Sequence, residues 1–100
     1  MQRAQLYTSA AGVTIAAIQF NGLNGKDVAS WSAGYHIPPD AEDGGNFVVV
    51  HSFMGMKMNA YLDDFVITVM GEDTWYVLPP KHFLELYVPM GVWIDFEGAE

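Results

Sequence analysis

Few residues in this chain are of types that do chemistry. They are three histidines, His36, His51 and His82, an adjacent acid pair, Asp63-Asp64, and the serines Ser9, Ser30, Ser32 and Ser52. Two histidines hold a zinc ion from one helix when their spacing sets them on the same face, as in HxxxH or HExxH, and no such spacing occurs. His51 alternates with Phe47 and Val49, which reads as a half-buried histidine with one hydrogen-bonded nitrogen. Two adjacent acids at a strand entrance could hold a hard cation. Neighbouring residues entering a strand point to opposite faces, however, and this suits an Asx-type turn better than a shared ligand site. No serine lies in a GxSxG elbow, and the absence of cysteine excludes a thiol nucleophile. Neither GxGxxG nor a P-loop lysine pattern is present. The chain therefore reads as a non-enzyme with no catalytic residues, no cofactor and no metal.

The whole sequence narrows the class further. One hundred residues with 51% hydrophobic content make one small α+β domain over 1–100, held by core packing rather than disulfides. The formal charge is −8, and Arg3, Lys26, Lys57 and Lys81 are scattered along the chain. Such a surface is unsuited to a phosphate backbone, so no nucleic-acid partner is expected. The longest apolar stretches, 13–20 and 65–70, fall far short of the ~20 residues that span a bilayer. No basic stretch followed by an apolar run reads as a signal peptide. These features predict a cytoplasmic protein without a membrane partner.

The elements follow from periodicity. Residues 13–20 read as a strand whose apolar alternation slips between Ile15 and Ile18, as a bulge would cause, with a helix as the alternative. Asn21-Gly22 turns the chain. Asn24 can then cap a short helix, with Asp27 at the capping-box position, Leu23 stapled onto Val28 and Gly34 as the left-handed stop. Val28 and Trp31 share one face of that helix. Pro38-Pro39, three acids and Gly44-Gly45 form a surface loop. Strands are expected at 46–53, 56–61, 64–70 and 74–78, joined at Met54-Gly55, Asp63-Asp64 and Gly71-Glu72-Asp73. Together they predict an antiparallel β-meander of four or five strands. Pro79-Pro80 ends it, Phe83, Leu86 and Tyr87 form a second short helix, and Pro89 and Gly91 break that helix before an extended piece at 92–96.

Seven tryptophans and tyrosines outside the first residues, Trp31, Trp75, Trp93, Tyr35, Tyr61, Tyr76 and Tyr87, exceed what a small core encloses. Trp31 and Trp75 are expected to close the core between helix and sheet, with Phe65 and Ile67 also inside. Tyr61, Tyr76, Trp93, Met56 and Met58 are the candidate interface residues, because aromatic and methionine side chains dominate contact surfaces. One helix covers one sheet face. If it lies on the Phe65 and Ile67 side, then Val48, Val50, Val66, Met70, Tyr76 and Leu78 are left to be covered by the end segments or by a second copy in a homodimer.

Several ordered motifs, taken together, resemble a group of small uncharacterised bacteriophage proteins. They are Ala17-Ile18-Gln19-Phe20-Asn21-Gly22, Val28-Ala29-Ser30-Trp31, and the run from Leu62 to Pro89. Within that run Asp64-Phe65-Val66, Gly71-Glu72, Tyr76, Pro80 with Phe83, and Tyr87 with Pro89 match the group's late pattern. The sequence departs from the pattern at Asp63 for glycine, Leu62 for proline and Phe20 for tryptophan, so the turn before Phe65 must be built differently. The resemblance implies a phage accessory protein with an α+β fold and carries no biochemical activity with it. Combined with the acidic balance and surplus aromatics, it predicts a protein that binds a host protein in the host cytoplasm and modulates it. A small-molecule module for a nucleotide signal and a virion or assembly component are the alternatives.

Overall fold

The computed structural model describes residues 2–39, 45–72 and 74–96. The 40–44 part of the acidic loop and Asp73 of the expected hairpin tip lie outside the described residues. Eight strands and two short helices are present among them, so the α+β expectation holds. In chain order they are β1 (Gln2–Ser9), β2 (Thr14–Gln19), α1 (Gly25–Trp31), β3 (Tyr35–Ile37), β4 (Phe47–His51), β5 (Lys57–Ala60), β6 (Phe65–Val69), β7 (Trp75–Leu78), α2 (Pro80–Leu86) and β8 (Tyr87–Phe96). They build a five-stranded sheet of order β7-β6-β2-β1-β8 and a three-stranded sheet of order β3-β4-β5. Every strand pair is antiparallel.

The four strands expected as one meander are divided between these sheets. Hairpin β4-β5 belongs to the small sheet and hairpin β6-β7 to the large one, because the chain leaves one sheet for the other at Leu62-Asp63. The turn is a β-turn rather than the expected Asx-type turn: the Asp64 N–H donates to the Tyr61 carbonyl at 3.0 Å, and the Asp64 carboxylate reaches back to accept from the Tyr61 N–H at 2.9 Å. Asp63 sits in the left-handed region at φ 72. It stands where the resembling pattern has glycine, and it adopts the conformation glycine adopts without steric cost. Its N–H donates to the Phe20 carbonyl at 2.8 Å, which locks the turn onto the end of β2.

β2 is the central strand and carries no bulge: Ile15 to Gln19 pair in unbroken register with Val69 to Phe65. Its alternation slips because Ile15, Ala16 and Ala17 are all buried, on both faces of the sheet, and alanine lets the layers approach. The one register shift is in the β1–β8 pair, where three residues of β8 oppose Leu6 of β1 and Gly91 takes φ 74. β8 thus runs straight through Pro89 and Gly91, which bulge the strand rather than break it. β1 and β3 were not predicted from the sequence.

One face of the large sheet, with Val66 and Val77, packs on Val28 and Ala29 of α1 and on Val48, Val50 and Ala60 of the small sheet. Trp31 and Trp75 meet edge-to-face at 6.2 Å at the margin of this core, where the sequence placed them. On the other face Ile15, Ala17, Phe65 and Ile67 pack under α2 through Phe83. Phe83 stacks on Phe65 with ring centroids 3.9 Å apart and meets Tyr7 edge-on at 4.7 Å. Phe65 and Ile67 are therefore core, but the helix above them is α2. The opposite face is covered by the chain itself, which removes the reason given for a second copy at Val48, Val50 and Val66. Tyr76 and Leu78 belong with Ile67 and Phe65, since directly paired residues share a face. The segment 92–96 extends the sheet edge beside β1 and covers neither face.

The ends of α1 also differ in detail from expectation. Leu23 is 95% exposed and staples nothing. The Asn21 carboxamide oxygen takes up the Leu23 and Asn24 N–H groups, while the Asn24 oxygen accepts from the Asn21 N–H. At the other end Ala33, not Gly34, is left-handed at φ 55, and the Gly34 N–H closes a Schellman turn onto the Ala29 carbonyl at 2.9 Å. Gly34 is needed for a different reason: a Cβ there would run into the Val49 carbonyl oxygen. In α2 only Phe83 is buried, and Leu86 is half-exposed rather than packed.

Candidate functional site

Paired residues place one row of side chains across the α2 face of the large sheet: Trp93, Gln5, Ala17, Ile67 and Tyr76, one from each strand. α2 lies over this face through Phe83, which touches Phe65 of β6, Tyr7 of β1 and Tyr87 at the start of β8, while Trp93 at the β8 end of the row is 52% exposed. Beside it lies a half-enclosed slot of about 270 Å³. Ala17, 3% exposed, forms its floor, and the short side chain is what leaves the space open. Rings of Tyr7, Phe65 and Trp93 stand around it, with Arg3, Gln5 and Gln19 supplying polar groups.

The polar groups are held in place. The Tyr7 hydroxyl donates to Gln5 Oε1 at 3.0 Å, and burial raises the Tyr7 pKa above its ordinary value of 10.0. Gln19 Nε2 donates to the Asp63 carbonyl at 3.0 Å, which fixes the orientation of that amide. Arg3 Nε meets Asp95 Oδ1 at 3.2 Å in an exposed pair. The arrangement can stack, donate and accept. It contains no nucleophile beside a base.

Comparison with family models, curated protein sequences and solved structures finds no match to this chain. The resemblance to small bacteriophage proteins thus rests on its motifs, whose residues take structural positions here. Asp64-Phe65-Val66 enter β6, Gly71-Glu72 turn the β6-β7 hairpin, Pro80 and Phe83 start and seat α2, and Tyr87 opens β8.

The candidate interface residues are not brought together. Tyr76 and Trp93 sit at opposite ends of one row, four strand spacings or roughly 19 Å apart. Tyr76 is half-buried in the α2 core, while Trp93 is 52% exposed and walls the slot. Tyr61 lies exposed beside Phe47 at 5.3 Å, at the small sheet. Met56 is exposed before β5, and Met58 packs against the α1 core.

The histidines are separate as well. His36 on β3 is the half-buried one, with Nε2 3.1 Å from Asn46 Oδ1, whereas His51 is exposed at the end of β4 beside Tyr35. His82 lies on α2, and no group of three His, Asp or Glu side chains converges among the described residues. A second, more open depression between α1 and β3 is lined by Lys26, Ser30 and His36.

Sequence reasoning missed Arg3, Gln5, Tyr7 and Gln19. The signal was present in the alternation of Arg3, Gln5 and Tyr7 with Ala4, Leu6 and Thr8, the period of a strand with two unlike faces.

Proposed function

We propose that this chain is a non-catalytic phage accessory protein that binds a host protein in the host cytoplasm and modulates it. The observation that supports the reading is an apolar strip on the face of β8 turned away from the slot. Val88 pairs with Thr8 and Ile94 with Ala4, so these two lie on that side, and Met90 and Val92 fall in the bulged stretch between them. Val88 is 59% exposed, and Met90 and Val92 are each 46% exposed. The core that α1 and the small sheet form on this face is centred on Val66 and Val77, at the other end of the sheet. Three adjacent aliphatic and methionine side chains give a partner adaptable apolar contact area. The net charge of −8 favours a partner whose surface around the contact is basic. No helix among the described residues is long and apolar enough to cross a membrane.

The test is affinity capture from host lysate at physiological salt with the wild-type chain and a Val88→Glu, Met90→Glu variant. A protein held by the wild type and lost by the folded variant is the expected result. Capture unaffected by the two glutamates, or no capture at all, would overturn the reading. Sedimentation of the purified chain addresses the homodimer. A species of twice 11.1 kDa that the glutamates abolish would give the strip to a second copy instead.

A further inference from the structure

The slot on the opposite face of β8 makes a separate claim, independent of any protein partner. Its volume, about 270 Å³, lies just below the range of drug-sized pockets and suits one ring system with a small substituent. The walls suit a flat occupant. Trp93 is half-exposed and free to stack, while Phe65 and Tyr7 are braced from behind by Phe83. The floor suits it too, because Ala17 occupies a position whose paired neighbour on β6 is the much larger Ile67.

The two glutamines carry unspent and complementary hydrogen-bonding capacity. Gln5 Oε1 is occupied by the Tyr7 hydroxyl, so its amide nitrogen is left to donate. Gln19 Nε2 gives one of its two N–H groups to the Asp63 carbonyl, which holds the amide in place with its oxygen left to accept. Both line the same slot, one donor and one acceptor, and this pair matches the edge of a carboxamide or of a heterocycle with the same pattern. The charge of the site excludes a strong anion preference. Among the described residues Arg3 is the one cation lining it, its Nε is paired with Asp95, and the chain carries −8.

We infer that the slot between Trp93, Tyr7 and Phe65 binds a small, neutral, planar ring bearing an amide-type donor–acceptor edge. Nicotinamide is a probe with this chemistry. Titrating it into the ¹⁵N-labelled full chain should move the Trp93 indole N–H and the Gln5 and Gln19 side-chain amide resonances along saturable curves. Trp93→Ala, a change at an exposed position, should weaken binding about fivefold or more, the loss expected when a stacking surface is removed. Gln19→Leu should weaken it as well with the fold intact. Two analogues sharpen the class: cyclohexanecarboxamide keeps the amide and loses the flat ring, and nicotinate keeps the ring and adds a negative charge. Both should bind more weakly than nicotinamide. Shifts that do not saturate, equal response to cyclohexanecarboxamide, tighter binding of nicotinate, or undiminished binding in Trp93→Ala would each overturn the inference.

Discussion

The two ends of the five-stranded sheet are built from similar residues and treated in opposite ways. At the β7-β6-β2 end both faces are covered, by α2 on one side and by α1 with the small sheet on the other. At the β1-β8 end α2 touches only Tyr7 and Tyr87, through Phe83, and Val88, Met90, Val92 and Trp93 remain about half-exposed. The difference follows from chain length. Two seven-residue helices and a three-stranded sheet can roof three strands, and the remaining two are left as surface. The closed end supplies stability, and the open end offers a slot on one face and an apolar strip on the other.

The largest expected effect comes from removing the ring that seats α2. Phe83→Ala should cost about 3 to 5 kcal/mol, and Ile67→Ala about 2 to 5 kcal/mol, both read from denaturant midpoints. A domain has only ~5 to 15 kcal/mol to lose, so the first should unfold at a far lower denaturant concentration than the wild type. At the open end, Val88→Glu with Met90→Glu should change stability by no more than ~0.5 kcal/mol per site. If the exposed pair proved as costly as Ile67→Ala, the contrast between the two ends would collapse.

A smaller effect tests the hinge between the sheets. Asp63 is held at φ 72, so Asp63→Gly should raise stability by up to about 1 kcal/mol, while the Asp63 carbonyl bond from Gln19 is kept. A loss of stability would mean that the carboxylate, rather than the backbone, matters there. The smallest effect is a pH dependence at the border of the two regions. Burial raises the Tyr7 pKa, so the folded state holds that proton more tightly than the unfolded chain does. The stability from this group is complete below its ordinary value of 10.0 and is lost as pH rises through the raised value in the folded protein. Tyr7→Phe should flatten this alkaline decline, measured as thermal midpoint against pH.

Much of this molecule is legible in its sequence because it depends on neighbours along the chain. Alternation marked β4, β5, β6 and β7 to within a residue or two, and the turn chemistry of Asp63-Asp64 and Met54-Gly55 gave their limits. Helix signals at Asn24, Val28 and Pro79-Pro80 located α1 and α2. The core character of Phe65 and Ile67 was likewise local, since an apolar residue repeating at period two has to be inside something.

What the residues lie against was decided by tertiary structure. Sheet membership of consecutive strands depends on the turn at Leu62-Asp63, where a left-handed residue sends the chain to a different layer while the hydrophobic pattern on either side stays the same. The double burial of β2 read as a bulge because a pattern along one strand does not say how many layers cover it. The slot was equally hidden. Arg3, Gln5 and Tyr7 lie on one strand, Ala17 and Gln19 on the next, and Trp93 comes from the far end of the chain. Residues so far apart in sequence converge only when non-local strand pairing sets their register, and that pairing is a property of the whole folded chain.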